Sequence, residues 1–449
     1  MTYVAIEQYK NKLRVFQPTE PDLTNSLHTQ EAADVRRPET IERAYLDFDG
    51  FFAGVEQQAD KRLRGKPVGV VPFEGTNRTC VIACSREAKK FGVKNVMPVD
   101  DALSLCPDLI LVPQKPDLYR RAHNMLLAEI ETVLPIDTIK SIDELTCKLD
   151  SKGIADPVRL AKQIKDNLAE SVGSVITCSI GFAANRQLAK IACKQDKPNG
   201  VTIWHPQMMP APLLDIPFED IPGIGTNMKR KLAVLGIVDM HTLYPVQPKH
   251  MRKIWGNVTG ERLWYALHGY DIQAPETEKG MFGHGRVLPP DARTLNHAYE
   301  IARLLLMKAA RRLRRASYYC SGLWVWISIT DGTWSRHRSL PMVRDDAAIL
   351  DALRIVWNEA RATLPNRTIL YRVGVTLTDI TLASARQMDF LLDDDGERRK
   401  WEAVTSTVDT LNYRYAKTVV SVGPWNPPKG GHVGGKISYT RIPTWEDFI

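Results

Sequence analysis

Two acidic residues, Asp143 and Glu144, stand side by side in the segment KSIDELTCKLD, residues 140–150, which otherwise has the pattern of a half-buried strand. Adjacent carboxylates repel each other and lose hydration together, so a positive charge must compensate them. An arginine, a proton or a metal ion could do so. A third acid, Asp47, ends a short apolar strand far upstream, where a charge is poorly solvated.

Three carboxylates that converge on one end of a sheet would suit two hard divalent ions. Mg²⁺ prefers oxygen ligands, keeps several waters and completes its shell with substrate phosphates. Two such ions about 3.5–4 Å apart activate an attacking oxygen and stabilise the leaving oxygen in phosphoryl transfer. Consecutive strand residues point to opposite faces, so Asp143 and Glu144 share a site only near a strand end or a turn.

The alternative role for Asp47 is that of a strand-end acid that caps the next helix. We expect Asp49 to supply that cap, because Gly50 and the apolar spacing of a helix follow it. Asp47 is then left for another purpose.

The elements around these acids predict a mixed sheet backed by helices, an α+β palm. No glycine-rich phosphate fingerprint follows any strand, which disfavours a Walker or dinucleotide site. Long helices that alternate with strands after residue 290 predict a second, smaller α+β domain. The predicted helices are 118–134, 157–171, 185–195, 297–315, 346–362 and 397–415, and the predicted strands are 44–48, 175–183, 200–204, 322–330 and 372–380.

Length and composition set broad limits on the function. A chain of 449 residues suffices for two to four domains. Its 60 Lys+Arg against 52 Asp+Glu give a net charge of +8, a weak indication of a polyanionic partner such as nucleic acid. The seven cysteines form no CxxC pair, which argues against a zinc site or disulfide scaffold and favours a reducing cytoplasm. We expect neither a signal peptide nor a membrane-spanning segment.

Five segments, in this order and at this spacing, resemble the Y-family, or translesion, DNA polymerases of the bacterial polymerase IV and polymerase V types. They are DFDGFFAGVE, EAKKFGVKNVMP, SIDE, SIGFAANRQLAKIACKQDKPNG and IPGIG, and the resemblance runs from about residue 43 to the 420s. It implies a right-hand polymerase with a ferredoxin-like palm, small fingers, a helical thumb with a helix–hairpin–helix, and an α+β little finger. The implied divisions are an N-terminal extension (1–40), the palm (41–50 and 115–213), the fingers (51–114), the thumb (214–275), a linker (276–290), the little finger (291–425) and a C-terminal tail (426–449).

The resemblance implies error-prone translesion synthesis, with two-metal nucleotidyl transfer from a deoxynucleoside triphosphate to the 3′-OH of a primer. Asp47 and Asp143 would bridge two Mg²⁺ ions, for which Mn²⁺ is an acceptable substitute. Glu144 would hold the catalytic ion, and the backbone carbonyl of Phe48 would touch the ion on the nucleotide side. The enzyme would act on primer–template DNA as a cytoplasmic monomer.

The nucleotide contacts implied by the resemblance begin with Phe52, which matches the steric gate, an aromatic ring that excludes a ribose 2′-OH by volume. Phe52 could instead be a core residue, a role for which its neighbour Phe51 is an equal candidate. Lys197 matches the lysine that contacts the triphosphate, although a solvated turn lysine is the alternative.

The fingers depart from the pattern. Ala83, Arg86 and Lys89 stand where many polymerase IV-type members carry Thr, Tyr and Arg. Two cations therefore remain for the triphosphate, although a lysine lacks the bidentate fork of an arginine. CVIACSREAK is closer to the polymerase V type and FGVKNVMP to the polymerase IV type.

Residues 221–236, IPGIGTNMKRKLAVLG, resemble a helix–hairpin–helix. Gly223 and Gly225 would let backbone N–H groups approach a DNA phosphate at the positive end of the next helix. The apolar face of that helix would comprise Met228, Leu232 and Leu235, which leaves Lys229 and Arg230 outward. An ordinary glycine turn between packed helices is the alternative.

Four cations in KAARRLRRAS fall on one stripe of a helix, opposite an apolar face. They are Lys308, Arg311, Arg312 and Arg315, and the apolar face is Ala302, Leu306, Ala309 and Leu313. No acids are interleaved, so we expect DNA phosphates to be bound there, independently of sequence and sensitive to salt. A merely solvated surface is the alternative.

The segment SARQMDFLLDD resembles the peptide by which bacterial polymerases bind the sliding clamp, the beta clamp. Gln387 would be its glutamine, and Met388, Phe390 and Leu391 its apolar anchors. A segment that packs on its own domain is the alternative.

Two other functions compete with a polymerase. One is a catalytically silent scaffold of the same fold that binds DNA and the clamp, which would be expected to lack the three acids. The other is a different two-metal palm enzyme, such as a nucleotide cyclase, which has no use for a helix–hairpin–helix.

Overall fold

The structure is a computed structural model that describes residues 36–73, 75–272, 278–365, 367–386, 395–424 and 442–448. The chain forms two compact units, the first ending at Pro275 and the second beginning at Glu276, and each is described by itself. Within the described ranges, no helix has both the length and the apolar character needed to cross a bilayer.

The first unit alternates strands and helices up to residue 203 and is helical afterwards. Its strands are β1 (Arg43–Phe48), β2 (Val68–Val71), β3 (Cys80–Val81), β4 (Ala83–Cys84), β5 (Met97–Pro98), β6 (Ile110–Pro113), β7 (Ile136–Ile139), β8 (Glu144–Lys148), β9 (Cys178–Ala183) and β10 (Val201–Ile203). Its helices are α1 (Phe51–Ala59), α2 (Arg86–Lys90), α3 (Val99–Leu105), α4 (Pro116–Glu131), α5 (Ser151–Ala155), α6 (Pro157–Ser171), α7 (Arg186–Gln195), α8 (Ala211–Leu214), α9 (Thr226–Val234), α10 (Met240–Leu243), α11 (Pro248–Trp255) and α12 (Val258–Leu267).

A five-stranded sheet of order β10-β9-β1-β8-β7 forms the palm. β1 lies at its centre, antiparallel to both β9 and β8, while β10 runs parallel to β9. Because both edges of β1 are paired and its residues are mostly buried, the strand reads as an apolar run in the sequence. The sheet is mixed, as the sequence predicts.

Helix α7 packs closely on the sheet because β9 carries Gly181. A Cβ at this position would lie 2.2 Å from the carbonyl oxygen of Ala189, so only glycine allows this approach. Asn185 caps the helix, its side chain accepting a hydrogen bond of 2.9 Å from the N–H of Leu188.

The fingers contain a three-stranded sheet, β4-β2-β6, and a two-stranded sheet, β3-β5. The segment CVIAC, residues 80–84, forms β3 and β4, which belong to different sheets. After residue 210 the thumb helices α8–α12 surround a core that includes Leu232, Leu243 and Tyr265. The predicted helical character of this region is confirmed.

The second unit is a four-stranded antiparallel sheet with helices on one face. Its elements are β11 (Phe282–Val287), α13 (Leu295–Arg315), β12 (Tyr318–Ile329), β13 (Gly332–Val343), α14 (Asp346–Thr363), β14 (Leu370–Leu382) and α15 (Asp395–Arg414). The strand order is β11-β14-β12-β13. Alternate residues of β12, namely Leu323, Val325 and Ile327, are fully buried and pack with residues of α13 and α14.

Two strands of this sheet differ from the predictions. β11 pairs with β14 from Phe282 to Val287, so the prediction of a linker is wrong for that part of 276–290. β13 was not predicted because its sequence is polar. Both strands lie at edges of the sheet, where one side of the strand has no neighbour to bury it.

Candidate active site

The three predicted acids lie at one end of the palm sheet. Asp47 pairs directly with Glu144 in the antiparallel register of β1 and β8, so both side chains leave the same face. Asp143 lies in the turn before β8, and its carbonyl oxygen accepts a hydrogen bond of 2.9 Å from the N–H of Phe48. Because β8 begins at Glu144, the turn releases the two adjacent acids from the alternation of a strand.

Two lysines from α7 and the following turn contact these acids. The Nζ of Lys197 contacts Oδ1 of Asp47. The Nζ of Lys190 lies 2.8 and 3.0 Å from the two carboxylate oxygens of Glu144. Sequence reasoning missed Lys190.

Asp143 has a hydroxyl partner instead. The Oγ of Ser141 donates a hydrogen bond of 2.5 Å to Oδ1 of Asp143. The motif SIDE thus contains a serine that orients one acid, which sequence reasoning also missed.

The pKa values of these acids reflect their crowding. Burial raises the pKa of Asp47 to about 6; the ammonium of Lys197 opposes the rise, and the charges of Asp143 and Glu144 add to it. Burial also raises the pKa of Asp143, against the hydrogen bond from Ser141. The sheet end therefore holds more negative charge than its surroundings stabilise, and a further cation would be favourable there.

The donor groups fit hard divalent ions. Three carboxylates and the carbonyl of Phe48 offer only oxygen ligands, the type that Mg²⁺ and Mn²⁺ prefer. In the part of the chain that the structure describes, no three acidic, histidine or cysteine side chains are already arranged around one metal position. Lysine ammonium groups lie against Asp47 and Glu144, so they must move aside before both acids can hold ions.

Asp49 does not cap α1, and that prediction is wrong. The N-cap residue is Gly50, at φ +57°, and no side chain caps the helix. The carboxylate of Asp49 instead accepts hydrogen bonds from Thr177 Oγ1 (2.9 Å), Ser179 Oγ (2.9 Å) and the N–H of Asn199 (2.8 Å). The left-handed glycine starts the helix one residue later, which frees Asp49 to hold the turn that carries Lys197.

The two adjacent phenylalanines of α1 have different surroundings. Phe51 is 3% exposed and packs against Phe48, with ring centroids 5.9 Å apart. Phe52 is only half-buried and stacks on Tyr119. The ring of Phe52 therefore has exposed surface that a ligand can contact. The ring of Phe51 is covered, so only its backbone is available for such a contact.

In the fingers, the two predicted cations lie on α2, which Ser85 caps through a hydrogen bond to the N–H of Ala88. Arg86 is half-buried and Lys89 is exposed. Ala83 is buried in β4 and has no polar side-chain group.

Family models match three consecutive parts of the chain. The impB/mucB/samB family matches residues 46–194, the thumb domain of DNA polymerase-iota matches residues 219–271, and the impB/mucB/samB family C-terminal domain matches residues 280–390. The DNA polymerase IV of Moorella thermoacetica is 32% identical over 392 residues, which cover 83% of this chain and 93% of that protein.

The chain belongs to the Y family of translesion DNA polymerases. The DNA polymerase IV 1 of Bacillus subtilis is a further relative, 27% identical over 393 residues that cover 84% of this chain and 92% of its own. A Y-family polymerase chimera of Dbh and Dpo4 has a TM-score of 0.65 at 24% identity, covering 76% of this chain and all but 1% of its own, which shows the fold alone. An insertion ternary complex of Dbh DNA polymerase has a TM-score of 0.51 at 26% identity, covering the same shares.

These relatives confirm the predicted fold class and the predicted enzyme class. The chain is a DNA-directed translesion DNA polymerase of the polymerase IV type, it depends on divalent metal, and its substrates are DNA and nucleotides. They give no support to a catalytically silent scaffold.

The glycine turn of the helix–hairpin–helix of this Y-family polymerase is exposed to solvent. Gly223 has φ +105°, Gly225 is the N-cap residue of α9, and both are exposed. Leu232 is buried in the thumb core, so the predicted apolar face of α9 packs inward. Lys229 contacts Glu219 and Arg230 contacts Asn227, all of them exposed residues.

The basic stripe of α13 is not uncompensated, so the expectation that its charges are unbalanced is wrong. Lys308 is only 9% exposed and donates to the carbonyl oxygen of Asp447 at 2.7 Å. The other three cations also have partners within the second unit. Arg311 lies 3.3 Å from Asp409, Arg312 donates to the carbonyl oxygen of Gly283 at 2.7 Å, and Arg315 lies 3.3 Å from Glu446.

The acids that neutralise this stripe come from α15 and from residues 442–448, far along the chain. The absence of interleaved acids in the local sequence was therefore misleading, because tertiary structure supplies them. The apolar face of Ala302, Leu306, Ala309 and Leu313 is buried as predicted.

The predicted clamp-binding residues Gln387, Met388, Phe390 and Leu391 lie outside the described residues.

Proposed function

We propose that this polymerase extends a primer by two-metal nucleotidyl transfer at the end of the palm sheet. Asp47, Asp143 and Glu144 would hold the ions, with Glu144 on the catalytic one, and the backbone carbonyl of Phe48 would contribute on the nucleotide side. Two Mg²⁺ ions, or Mn²⁺ in their place, supply activation of the primer 3′-OH and neutralise the phosphate charge. The observation that carries this proposal is the direct pairing of Asp47 with Glu144, beside the turn that contains Asp143.

The triphosphate is held by Lys197, with Arg86 and Lys89 as additional cations. In the structure the ammonium of Lys197 contacts Asp47. If Asp47 were a metal ligand, this ammonium would exchange it for the phosphate oxygens of the nucleotide, which depart in pyrophosphate. The hydrogen bond from Asn199 to Asp49 keeps the turn in place during this exchange.

Phe52 is the steric gate against ribonucleotides. Its ring retains exposed surface, whereas the ring of Phe51 is buried against Phe48. Phe51 contributes its backbone to the nucleotide site.

The thumb binds the DNA backbone through its glycine turn. The N–H groups near Gly223 and Gly225 and the N-terminus of α9 attract a phosphate. Lys229 and Arg230 add positive charge, because their contacts with Glu219 and Asn227 are on the surface and easily exchanged.

We also infer error-prone lesion bypass, action as a monomer in the cytoplasm, and docking on the beta clamp through the segment that begins at Gln387. The clamp proposal rests on the sequence pattern alone. Truncating Met388 and Phe390 to alanine should weaken primer extension in the presence of a clamp and leave it unchanged without one. Equal activity with and without the substitutions in both assays would contradict it.

Primer extension with Mg²⁺ and four deoxynucleotides tests the catalytic proposal. Asp143→Ala should lower the rate of extension by about a thousandfold or more, because the ions lose a shared ligand, while DNA binding persists. Asp137→Asn is the matched control, since Asp137 lies on β7 of the same sheet and pairs with Arg43 and Lys148.

Undiminished extension by Asp143→Ala would contradict the assignment of the acids. Formation of a cyclic nucleotide without primer extension by the wild type would favour a cyclase, and inactivity of both proteins with retained DNA binding would favour a scaffold.

A further inference from the structure

Helix α1 carries a buried acid that the proposed mechanism does not use. Glu56 lies four residues after Phe52 and is 1% exposed. A buried carboxylate is stable only when its oxygens have partners. Here Lys115 Nζ lies 2.6 Å from one oxygen, and the hydroxyl of Tyr119 donates to the other at 2.8 Å.

Tyr119 connects this acid to the predicted gate. It lies on α4, is 1% exposed, and its ring stacks nearly parallel to that of Phe52 at an angle of 17°, with centroids 4.6 Å apart. Glu56 and Phe52 are separated by one helical turn, so both ends of Tyr119 rest on the same face of α1. Its hydroxyl is fixed by Glu56 and its face is covered by Phe52.

We propose that Tyr119, anchored by Glu56, is a positioning residue that fixes the ring of Phe52 and thereby sets how strongly the polymerase rejects ribonucleoside triphosphates. This inference rests on the proposed role of Phe52 as the steric gate.

The physical reason is the freedom of a partly exposed side chain. A phenylalanine on a helix surface has more than one staggered χ1 rotamer, and a ring that can rotate away excludes a 2′-OH poorly. Stacking on an immobile ring removes that freedom, and the buried Glu56 keeps Tyr119 immobile. The salt bridge with Lys115, whose side chain is 56% exposed, then serves to neutralise Glu56 at the edge of the cluster.

The test compares incorporation of a deoxynucleotide and the matching ribonucleotide opposite the same template base. The measured quantity is the ratio of the two kcat/KM values in one protein preparation, so partial misfolding, which lowers both, cancels. Phe52→Ala should lower this selectivity most, Tyr119→Leu by about tenfold, and Tyr119→Phe by about threefold, because it loses the hydroxyl and keeps the ring.

Glu56 provides a second arm with a conservative rescue. Glu56→Leu should match Tyr119→Phe, whereas Glu56→Gln keeps an acceptor for the tyrosine hydroxyl and should retain the wild-type selectivity. Met125→Ala is the control and should leave the selectivity unchanged, because Met125 lies on α4 with Tyr119 but is 53% exposed.

The outcomes separate this inference from the gate itself. If Phe52→Ala leaves the selectivity unchanged, Phe52 is not the gate. If Phe52→Ala relaxes selectivity while Tyr119→Leu, Tyr119→Phe and Glu56→Leu all retain the wild-type ratio, the gate stands and the inference is overturned. Should Tyr119→Leu fail to fold, Tyr119→Phe and Glu56→Leu decide between these results.

Discussion

The acidic cluster of the first unit and the basic cluster of the second are both neutralised by the chain itself, but in different ways. Asp47 and Glu144 pair with lysines whose side chains are 33% and 26% exposed. On α13, by contrast, Arg314 is 11% exposed and is held between Asp346 and Asp409. The lysines can exchange their partners with ions or water at little cost, whereas the arginine cannot.

Backbone carbonyl groups, as well as acidic side chains, bind the cations of α13. Arg303 donates to the carbonyl oxygens of Val422 and Pro424 at 2.7 and 2.8 Å. These partners follow residue 390, where the match to the family's C-terminal domain ends. A cluster of like charges is thus a candidate binding site only when its neutralising partners can leave, and this condition distinguishes the palm acids from the buried Arg303 and Arg314.

The largest effect that would test this comparison is expected for Arg314→Met. Removing Arg314 leaves the buried Asp346 without its ion-pair partner and Asp409 with Arg311 alone, so the free energy of unfolding should fall by about 3–5 kcal/mol. Chemical denaturation measures it. Arg354→Met is the control, because Arg354 pairs with Asp351 on the surface, and should change the free energy by about 0.5 kcal/mol or less. Equal losses of unfolding free energy in the two variants would show that the buried ion pair contributes no more than the exposed one.

A smaller effect concerns pH in the first unit. The pKa of Asp47 is raised from 3.8 to about 6, so the folded protein binds a proton more readily than the unfolded chain. Without metal, its contribution should therefore make folding less favourable as pH rises from about 4 to 6, by at most about 3 kcal/mol.

Denaturation in the presence of a chelator at pH 4.5 and 7.5, values chosen to bracket about 6, measures this effect. Between pH 4.5 and 7.5, Asp47→Asn should lose less stability, or gain more, than the wild type does. An identical pH dependence in the two proteins would show that Asp47 is not electrostatically strained.

The smallest effect is expected for Lys190→Met. Its pair with Glu144 is partly exposed, so the metal-free protein should lose about 1 kcal/mol. Since Glu144 is then free for an ion, Mg²⁺ should raise the melting temperature more in the variant than in the wild type. Calorimetry with and without Mg²⁺ measures this difference, and a smaller metal-induced rise would indicate that Lys190 assists rather than competes with the ion.

Much of the fold was predictable because the relevant patterns are local. Helix 157–171 was predicted at its observed limits, and helices α13 and α14 within two residues of theirs, since their apolar periodicity is long and regular. The edge strands β11 and β13 were missed because polar or glycine-rich sequences form strands only when a neighbour pairs with them.

The candidate site was predictable in part. Asp47, Asp143 and Glu144 were identified because acids in apolar strands are rare. Lys190 and Ser141 were missed because neither is unusual in its own segment, and Asp49 was misassigned because the left-handed backbone of Gly50 cannot be inferred from the residues around it.

The sequence by itself determined the family, the order of the elements and the three acids, because these depend on residue types and on spacing along the chain. Only the tertiary structure decided which charges are neutralised and by what. Lys190 reaches Glu144, and Asp409 and Glu446 reach the cations of α13, across long stretches of sequence. Coulomb energies depend on distance in space and on burial, and neither quantity is a local property of the chain.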